Sequence, residues 1–212
     1  MCKGFAIRFC KKHQVIIGSR DTERAKTAAN EYSDLAKEAY GSINGEIVGK
    51  DNLSVANESE ILILSIPYEN IDATCAELLS KINDNCIVVS PIVPMTKTDV
   101  GFECISIKEN KLFSHQAVEK HMKDKTKLVS AIHVISEKKL VNPNLSLDYD
   151  IFVVGDDKNS VEMVNSLINE IDGLRPIYLG PGTLAYLVEM STPLLLNAMI
   201  RNKMKNPGIK LV

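Results

Sequence analysis

The sequence predicts an α/β fold, a parallel sheet with helices on both faces, from three observations. Short apolar runs alternate with longer amphipathic stretches, the pattern of βαβ units. Most of those runs are continuously apolar rather than alternating, which suits strands covered on both sides. The 212 residues are 45% apolar, with 25 basic against 27 acidic residues and a net charge of -2. That is enough chain to bury one substantial core.

The opening Met1 to Phe9 reads as a helix, with apolar Phe5, Ile7 and Phe9 among basic residues and Lys11-Lys12-His13 at its end, where the macrodipole favours cations. Strands are expected at Val15 to Ile17, Ile61 to Ile66, Ile87 to Val89, Leu128 to Ile132, Ile151 to Val154 and Ile177 to Leu179. Helices are expected at Thr22 to Ala39, Asn70 to Leu79, Ser114 to Met122, and Ser160 to Ile171 with Ser160 as its N-cap. A last helical pattern runs from Thr183 to Met199, where Pro193 should kink or divide it. Asn142-Pro143-Asn144 marks a soft boundary near residue 140. It divides a nucleotide-binding part, residues 1–140, from a small C-terminal part, residues 141–212.

The balanced charge argues against nucleic acid or a membrane surface as a general partner. Cys2, Cys10, Cys75, Cys86 and Cys104 form no C-x-x-C pair and read as reduced thiols. No apolar run approaches the roughly 20 residues that span a bilayer, and no cleavage site follows the first residues. The expectation is a cytoplasmic protein without metal, membrane or nucleic-acid partner.

Gly18-Ser19-Arg20 follows the strand Val15 to Ile17, and Arg24 lies in the first turn of the next helix. In a dinucleotide-binding sheet, the end of the second strand meets the adenosine ribose, where an acidic residue would accept from an NAD hydroxyl. A hydroxyl and two guanidinium groups stand there instead, and Arg matches a 2′-phosphate with a bidentate fork. This favours NADP. The plainer reading is a strand end with Arg24 pairing Asp21. A Gly-rich turn is expected about 20 residues upstream, yet the opening residues already read as the helix that follows such a turn. The expectation is therefore a first strand and loop ahead of Met1, or a truncated relic.

Ile66-Pro67-Tyr68 and Ser90-Pro91-Ile92-Val93-Pro94 each end a strand sharply, because proline cannot continue a ladder. Both are simple terminations or together one cleft wall for a flat ring, the reading favoured here. His133 follows an apolar strand and either caps the sheet or packs against a ring, whereas His13, His115 and His121 read as solvated surface. Asp156-Asp157 reads as a turn and helix cap rather than a metal site. Leu184, Leu187, Val188, Ser191, Leu194, Leu195 and Ala198 form one helical apolar stripe, as core or as a subunit contact.

The segments Lys3-Gly4-Phe5-Ala6, Val15 to Arg20, Ile66-Pro67-Tyr68-Glu69, Val88 to Pro94, Val129 to His133 and Glu170-Ile171-Asp172-Gly173-Leu174-Arg175-Pro176 occur in that order. The tail adds Leu187-Val188-Glu189, Thr192-Pro193-Leu194 and Gly208-Ile209-Lys210. In these the chain resembles, over essentially its whole length, the archaeal and actinobacterial NADP-dependent reductases of the deazaflavin coenzyme F420. The resemblance implies a Rossmann-type domain with a small C-terminal domain closing the site, a homodimer, and hydride exchange between two small-molecule cofactors, coenzyme F420 and NADP. By the same resemblance, Ser19, Arg20 and Arg24 hold the 2′-phosphate, Arg24 standing where a lysine is frequent. Ile66, Tyr68 and Val93 lie along the nicotinamide half. His133 and Ile135 line the deazaflavin side, and the loop at Pro207-Gly208 offers it backbone groups. The chain has Ile135-Ser136-Glu137 where the family continues Ile-Pro-Ala, so Glu137 brings a carboxylate to that side. No acid-base pair or nucleophile is needed, because the cofactors carry the reactivity. The alternatives are an NADPH-dependent reductase of another small substrate, and a non-catalytic remnant.

Overall fold

The structure, a computed structural model, describes residues 1–205 and 207–212. It opens with helix α1 (Cys2–Phe9), strand β1 (Gln14–Ser19), helix α2 (Thr22–Tyr40), strand β2 (Glu46–Asp51) and helix α3 (Asn52–Glu58). Next come β3 (Ile61–Ile63), α4 (Ile71–Leu78), β4 (Ile87–Ser90), the hairpin of β5 (Met95–Thr98) and β6 (Gly101–Cys104), α5 (Ile105–Lys108) and α6 (Ser114–Glu119). The chain closes with β7 (Leu128–Ser130), α7 (Glu137–Leu140), β8 (Tyr149–Gly155), α8 (Lys158–Asn169), β9 (Leu174–Gly180) and α9 (Ala185–Arg201).

All six expected strands form, in an α/β architecture. Two further elements lacked a continuous apolar run. β2, Glu-Ile-Val-Gly-Lys-Asp, has no pairing partner beyond β1 among the described residues, and β5 with β6 makes a partly exposed hairpin. The main sheet runs β3-β4-β7-β8-β9, and β1-β2 is a separate parallel pair. The expectation of a wholly parallel sheet is corrected at β8, which lies antiparallel to β7 with Val129 opposite Gly155 and Ser130 opposite Val154. The link from β7 carries only the one-turn α7, not the longer helix that usually covers a sheet face in a parallel crossover. Because β8 pairs with β7, the sheet continues past residue 140.

Residue parity sorts the core into two layers. Ile87 and Val89 face α1 and α8, meeting Phe5, Phe9, Val161, Val164 and Ile168. Val88 and Leu128 face α4 and α6, meeting Ile71, Cys75, Ala117 and Val118. Arg8, on α1, is buried, and its guanidinium donates to the carbonyls of Leu140, Asn142 and Leu145 at 2.8, 2.6 and 3.0 Å.

Three local expectations change. Asp157, not Ser160, caps α8: its carboxylate accepts from the Ser160 amide at 2.7 Å and the Ser160 hydroxyl at 2.6 Å. Pro193 sits inside α9 without dividing it; the lost hydrogen bond is the one to the carbonyl four residues back. Gly182–Arg201 is long and apolar enough by composition to cross a membrane, with a mean hydropathy of 1.3. Small polar residues break the continuous run, which hid this in the sequence. Here one face of the helix packs against β8 and α6, burying Ala185, Val188 and Glu189.

Between β1 and β3 lies a cavity of about 920 Å³, with Val15 to Gly18 on one side and Ile61 to Ile66 on the other. No ladder joins the two strands among the described residues.

Candidate functional site

β3, β4 and β7 are mutually parallel, so their carboxyl ends share one edge, where ligands gather in open α/β sheets. Ile66, Tyr68, Val93, His133 and Ile135 all follow these three strand ends. The two proline-terminated endings therefore stand at neighbouring strands. Tyr68 is held by its hydroxyl, which donates to the Leu112 carbonyl at 2.6 Å, with the ring half-buried.

Ser19, Arg20 and Arg24 form a second group at the end of β1, on the far side of the 920 Å³ cavity from β3. Asp21 caps α2, its carboxylate accepting from the amides of Glu23 and Arg24 at 3.0 and 3.2 Å. The Ser19 hydroxyl accepts from the Asp21 amide at 3.1 Å, which leaves its own proton to be donated. Both arginines are exposed, and neither forms an ion pair among the described residues. Two guanidinium forks open to solvent, beside a hydroxyl at a strand end, can take a phosphate.

His133 is 5% exposed, and neither ring nitrogen has a hydrogen-bond partner among the described residues. Burial, then the nearby His115, pushes its pKa down to about 3, so the imidazole is neutral at physiological pH. Its carbonyl accepts from the Thr192 hydroxyl at 2.8 Å, tying α9 to this edge. Ile132, immediately before it, has a φ of 68°. A β-branched residue in that region is strained by about 1–3 kcal/mol, and such strain collects at functional sites.

Three buried polar groups next to this edge escaped the sequence reading. His115, expected on the surface, is 4% exposed, its Nδ1 2.9 Å from the Ser130 hydroxyl. Glu189 is 1% exposed and accepts from the amides of Ser114 and His115 at 2.7 and 2.8 Å, the first turn of α6. Burial raises its pKa to about 7, against the lowering effect of those two donors. Ser90 is buried with an unpartnered hydroxyl among the described residues. No signal within a few residues of His115 or Glu189 announces their meeting. His13 and His121 do stay near the surface, pairing with Glu170 and Asp72 at 2.8 and 2.9 Å.

Glu137 is exposed and pairs with the amino group of Met1 at 2.7 Å. Pro207 precedes a tail laid against β8: the Asp150 amide donates to the Ile209 carbonyl at 2.7 Å, and the Leu211 amide to the Asp150 carboxylate at 2.6 Å. Gly208 packs so tightly that an added Cβ would lie 1.9 Å from the Tyr149 ring. Lys139 hydrogen-bonds the Tyr149 hydroxyl and lies over that ring, 4.6 Å from its centroid. The arrangement offers an apolar strand edge, a neutral buried imidazole and a cationic strand end. Among the described residues there is no group of three metal-ligating side chains, and all five cysteines are free.

The family model described as NADP oxidoreductase, coenzyme F420-dependent, matches residues 1–94. The F420-dependent NADP reductase of Methanocaldococcus jannaschii is 32% identical, over 98% of this chain and 92% of the relative. That of Methanothermobacter thermautotrophicus is 29% identical, over 98% of this chain and 88% of the relative. Among solved structures, a candidate F420-dependent NADP reductase from Arthrobacter sp. FB24 shares the fold with a TM-score of 0.73 at 18% identity, over 99% of this chain and 95% of that one. Prephenate dehydrogenase from Aquifex aeolicus shares it more distantly, with a TM-score of 0.56 at 14% identity, over 88% of this chain and 59% of that one.

Proposed function

The chain belongs to the coenzyme F420-dependent NADP oxidoreductase family, and we propose that it passes a hydride between reduced coenzyme F420 and NADP. The observation that carries this is the pair of exposed, unpaired guanidinium groups of Arg20 and Arg24 beside the Ser19 hydroxyl, in a chain related over its whole length to reductases of that name. The residues present suit the two cofactors. Arg20, Arg24 and Ser19 match a 2′-phosphate in charge and in donors. The neutral His133 and the apolar Ile66, Val93 and Ile135 suit flat ring systems.

When bound, the deazaflavin and the nicotinamide supply the hydride donor and acceptor, and the protein's task is position. Ile66, Tyr68 and Val93 support the nicotinamide half, and the Tyr68 hydrogen bond to Leu112 fixes that ring in place. His133 and Ile135 line the deazaflavin side. The part after residue 140 closes that side, with backbone groups of the Pro207-Gly208 loop offered to the ring system. Glu137, engaged with the Met1 amine, borders the same side without supplying a donor.

Purified protein given reduced coenzyme F420 and NADP should oxidise the one and reduce the other, and the reverse mixture should run backward, each followed by absorbance. Absence of turnover in both directions would remove the reading. The cavity between β1 and β3 supports a second reading, a form that binds one cofactor without turnover. Fluorescence titration with NADPH separates the two when combined with the assay. The protein further works in the cytoplasm as a homodimer. The exposed face of α9, with Leu187 and Leu194 49% and 64% exposed, supplies an apolar surface for the second subunit.

A further inference from the structure

Helix α9 reaches both walls of the strand edge. Its Thr192 hydroxyl donates to the His133 carbonyl at 2.8 Å. About one turn earlier on the same face, the buried Glu189 carboxylate accepts from the Ser114 amide at 2.7 Å with one oxygen and from the His115 amide at 2.8 Å with the other. The Tyr186 ring, also on α9, meets the Phe113 ring with centroids 5.9 Å apart. Residues 113–115 are therefore held from α9 at each position.

Just before this stretch lies the Leu112 carbonyl, which accepts from the Tyr68 hydroxyl at 2.6 Å and from the Ser106 hydroxyl at 2.7 Å. The planar peptide unit carrying that carbonyl adjoins the one carrying the Ser114 amide, with only the Phe113 Cα between them. A displacement at Glu189 is thus passed along a short, stiff path to the Tyr68 ring.

Joining two helices does not require a carboxylate. The partners of Glu189 are backbone amides rather than a cation, and burying a charge costs more than burying an apolar side chain of like size. What the carboxylate supplies is direction, because each oxygen fixes one amide. Costly departures from local rules gather at functional sites.

We infer that Glu189 is a positioning residue for the hydride transfer, setting the Tyr68 ring through residues 112–115 against the wall that Thr192 holds at His133. The inference rests on the placement of Tyr68 along the nicotinamide half proposed above. The role of Glu189 is geometric and moves no proton.

Two variants release the contact from opposite ends. Glu189→Gln keeps the side-chain length and replaces one acceptor oxygen by an amide donor. Ser114→Pro deletes one donor amide at the first position of α6, where proline is tolerated; Phe113 before it already has the extended backbone that proline requires, with φ -68° and ψ 159°. In cofactor-free protein isotope-labelled at the tyrosine phenol carbon, each variant should move the Tyr68 magnetic resonance signal, which is assigned by its loss in Tyr68→Phe. The double variant should move it no further than the larger single change.

In single turnovers between reduced coenzyme F420 and NADP, both variants should slow the transfer roughly tenfold or more. The NADPH dissociation constant, set at Arg20 and Arg24, should change by less than about twofold, since lost positioning and lost binding separate in this way. A still Tyr68 signal, effects that add in the double variant, or a rate that falls only in proportion to the folded fraction by circular dichroism would each overturn the inference. If the parent protein transfers no hydride in either direction, the proposed function falls. A moving Tyr68 signal would then still support the link from Glu189 to the ring, and a still one would overturn it.

Discussion

The carboxylate of Asp150, with no exposed surface, grips the guanidinium of Arg175 through two hydrogen bonds of 2.7 Å. The same two side chains hold the backbone of Leu211, Asp150 accepting from its amide at 2.6 Å and Arg175 donating to its carbonyl at 2.7 Å. A buried carboxylate is tolerable when several donors compensate its lost hydration. The Arg175 hydrogen bonds, with help from the Leu211 amide, hold its pKa down at about 2. The pair therefore decides where the tail containing Pro207 and Gly208 lies.

Asp150→Asn should release that tail. The Leu211 amide should exchange roughly tenfold faster, and carboxypeptidase should trim the variant sooner. The depressed pKa contributes stability that is present above pH 3.8, the ordinary value, and is lost as pH falls toward 2. The difference in stability between the two proteins should shrink across that window and not above it. A constant difference from pH 5 down to pH 2 would contradict the linkage.

Arg20→Gln combined with Arg24→Gln should weaken NADPH binding by roughly 10- to 100-fold, since a hydrogen bond to a charged group is worth about 1.5–3 kcal/mol. NADH binding should hardly change. Fluorescence titrations with the two nucleotides check this, and an unaltered preference for NADPH would dissociate these arginines from the phosphate.

His133→Leu should flatten the acid limb of stability. The imidazole takes a proton below about pH 6.5 in the unfolded chain but only near pH 3 in the folded one. Each unit of pH lowered through that window costs the folded state up to about 1.4 kcal/mol. With leucine that term disappears, and the melting temperature at pH 5 should rise relative to the parent protein. Glu189 acts oppositely. Its raised pKa stabilises the fold fully below about pH 4.5, an advantage lost as pH climbs to about 7. The comparison of parent and variant cancels that contribution.

Gly49→Ala should loosen β2 from α2. The added Cβ would lie 2.3 Å from the Ala25 carbonyl carbon and the Lys26 nitrogen, and main chain cannot swing aside as a side-chain tip can. Overpacking of this kind costs about 1–3 kcal/mol, read as a lower denaturant midpoint with some loss of helical circular dichroism.

Leu194→Glu should dissociate the proposed dimer while leaving the monomer folded, because the side chain is 64% exposed within one chain. Sedimentation or light scattering across a concentration series reads the mass. A variant whose mass matches the parent at every concentration would move the interface away from this face.

Elements carried by local chemistry were legible. Helix α2 begins at Thr22 as expected, and each of the six expected apolar runs contains a strand. The strand endings at Pro67 and Pro91 were legible too, since proline acts on its own neighbours. β2 was not, because Glu46, Gly49, Lys50 and Asp51 read as polar loop and its pairing comes from β1, 32 residues earlier in register.

By itself the sequence determined the α/β class, the order of the main strands and helices, the kinship with F420-dependent NADP reductases, and the pair Arg20 and Arg24 at one strand end. Tertiary structure alone decided that β8 runs against β7, that Arg8 is buried against the Leu140 to Leu145 turn, that Glu189 reaches the amides of Ser114 and His115, and that β1 and β3 stand apart. The physical reason is range. Helix caps, apolar periods and proline stops are set within a few residues, whereas burial of a charge or the facing of two strand edges depends on groups tens of positions apart that meet only once the chain has folded.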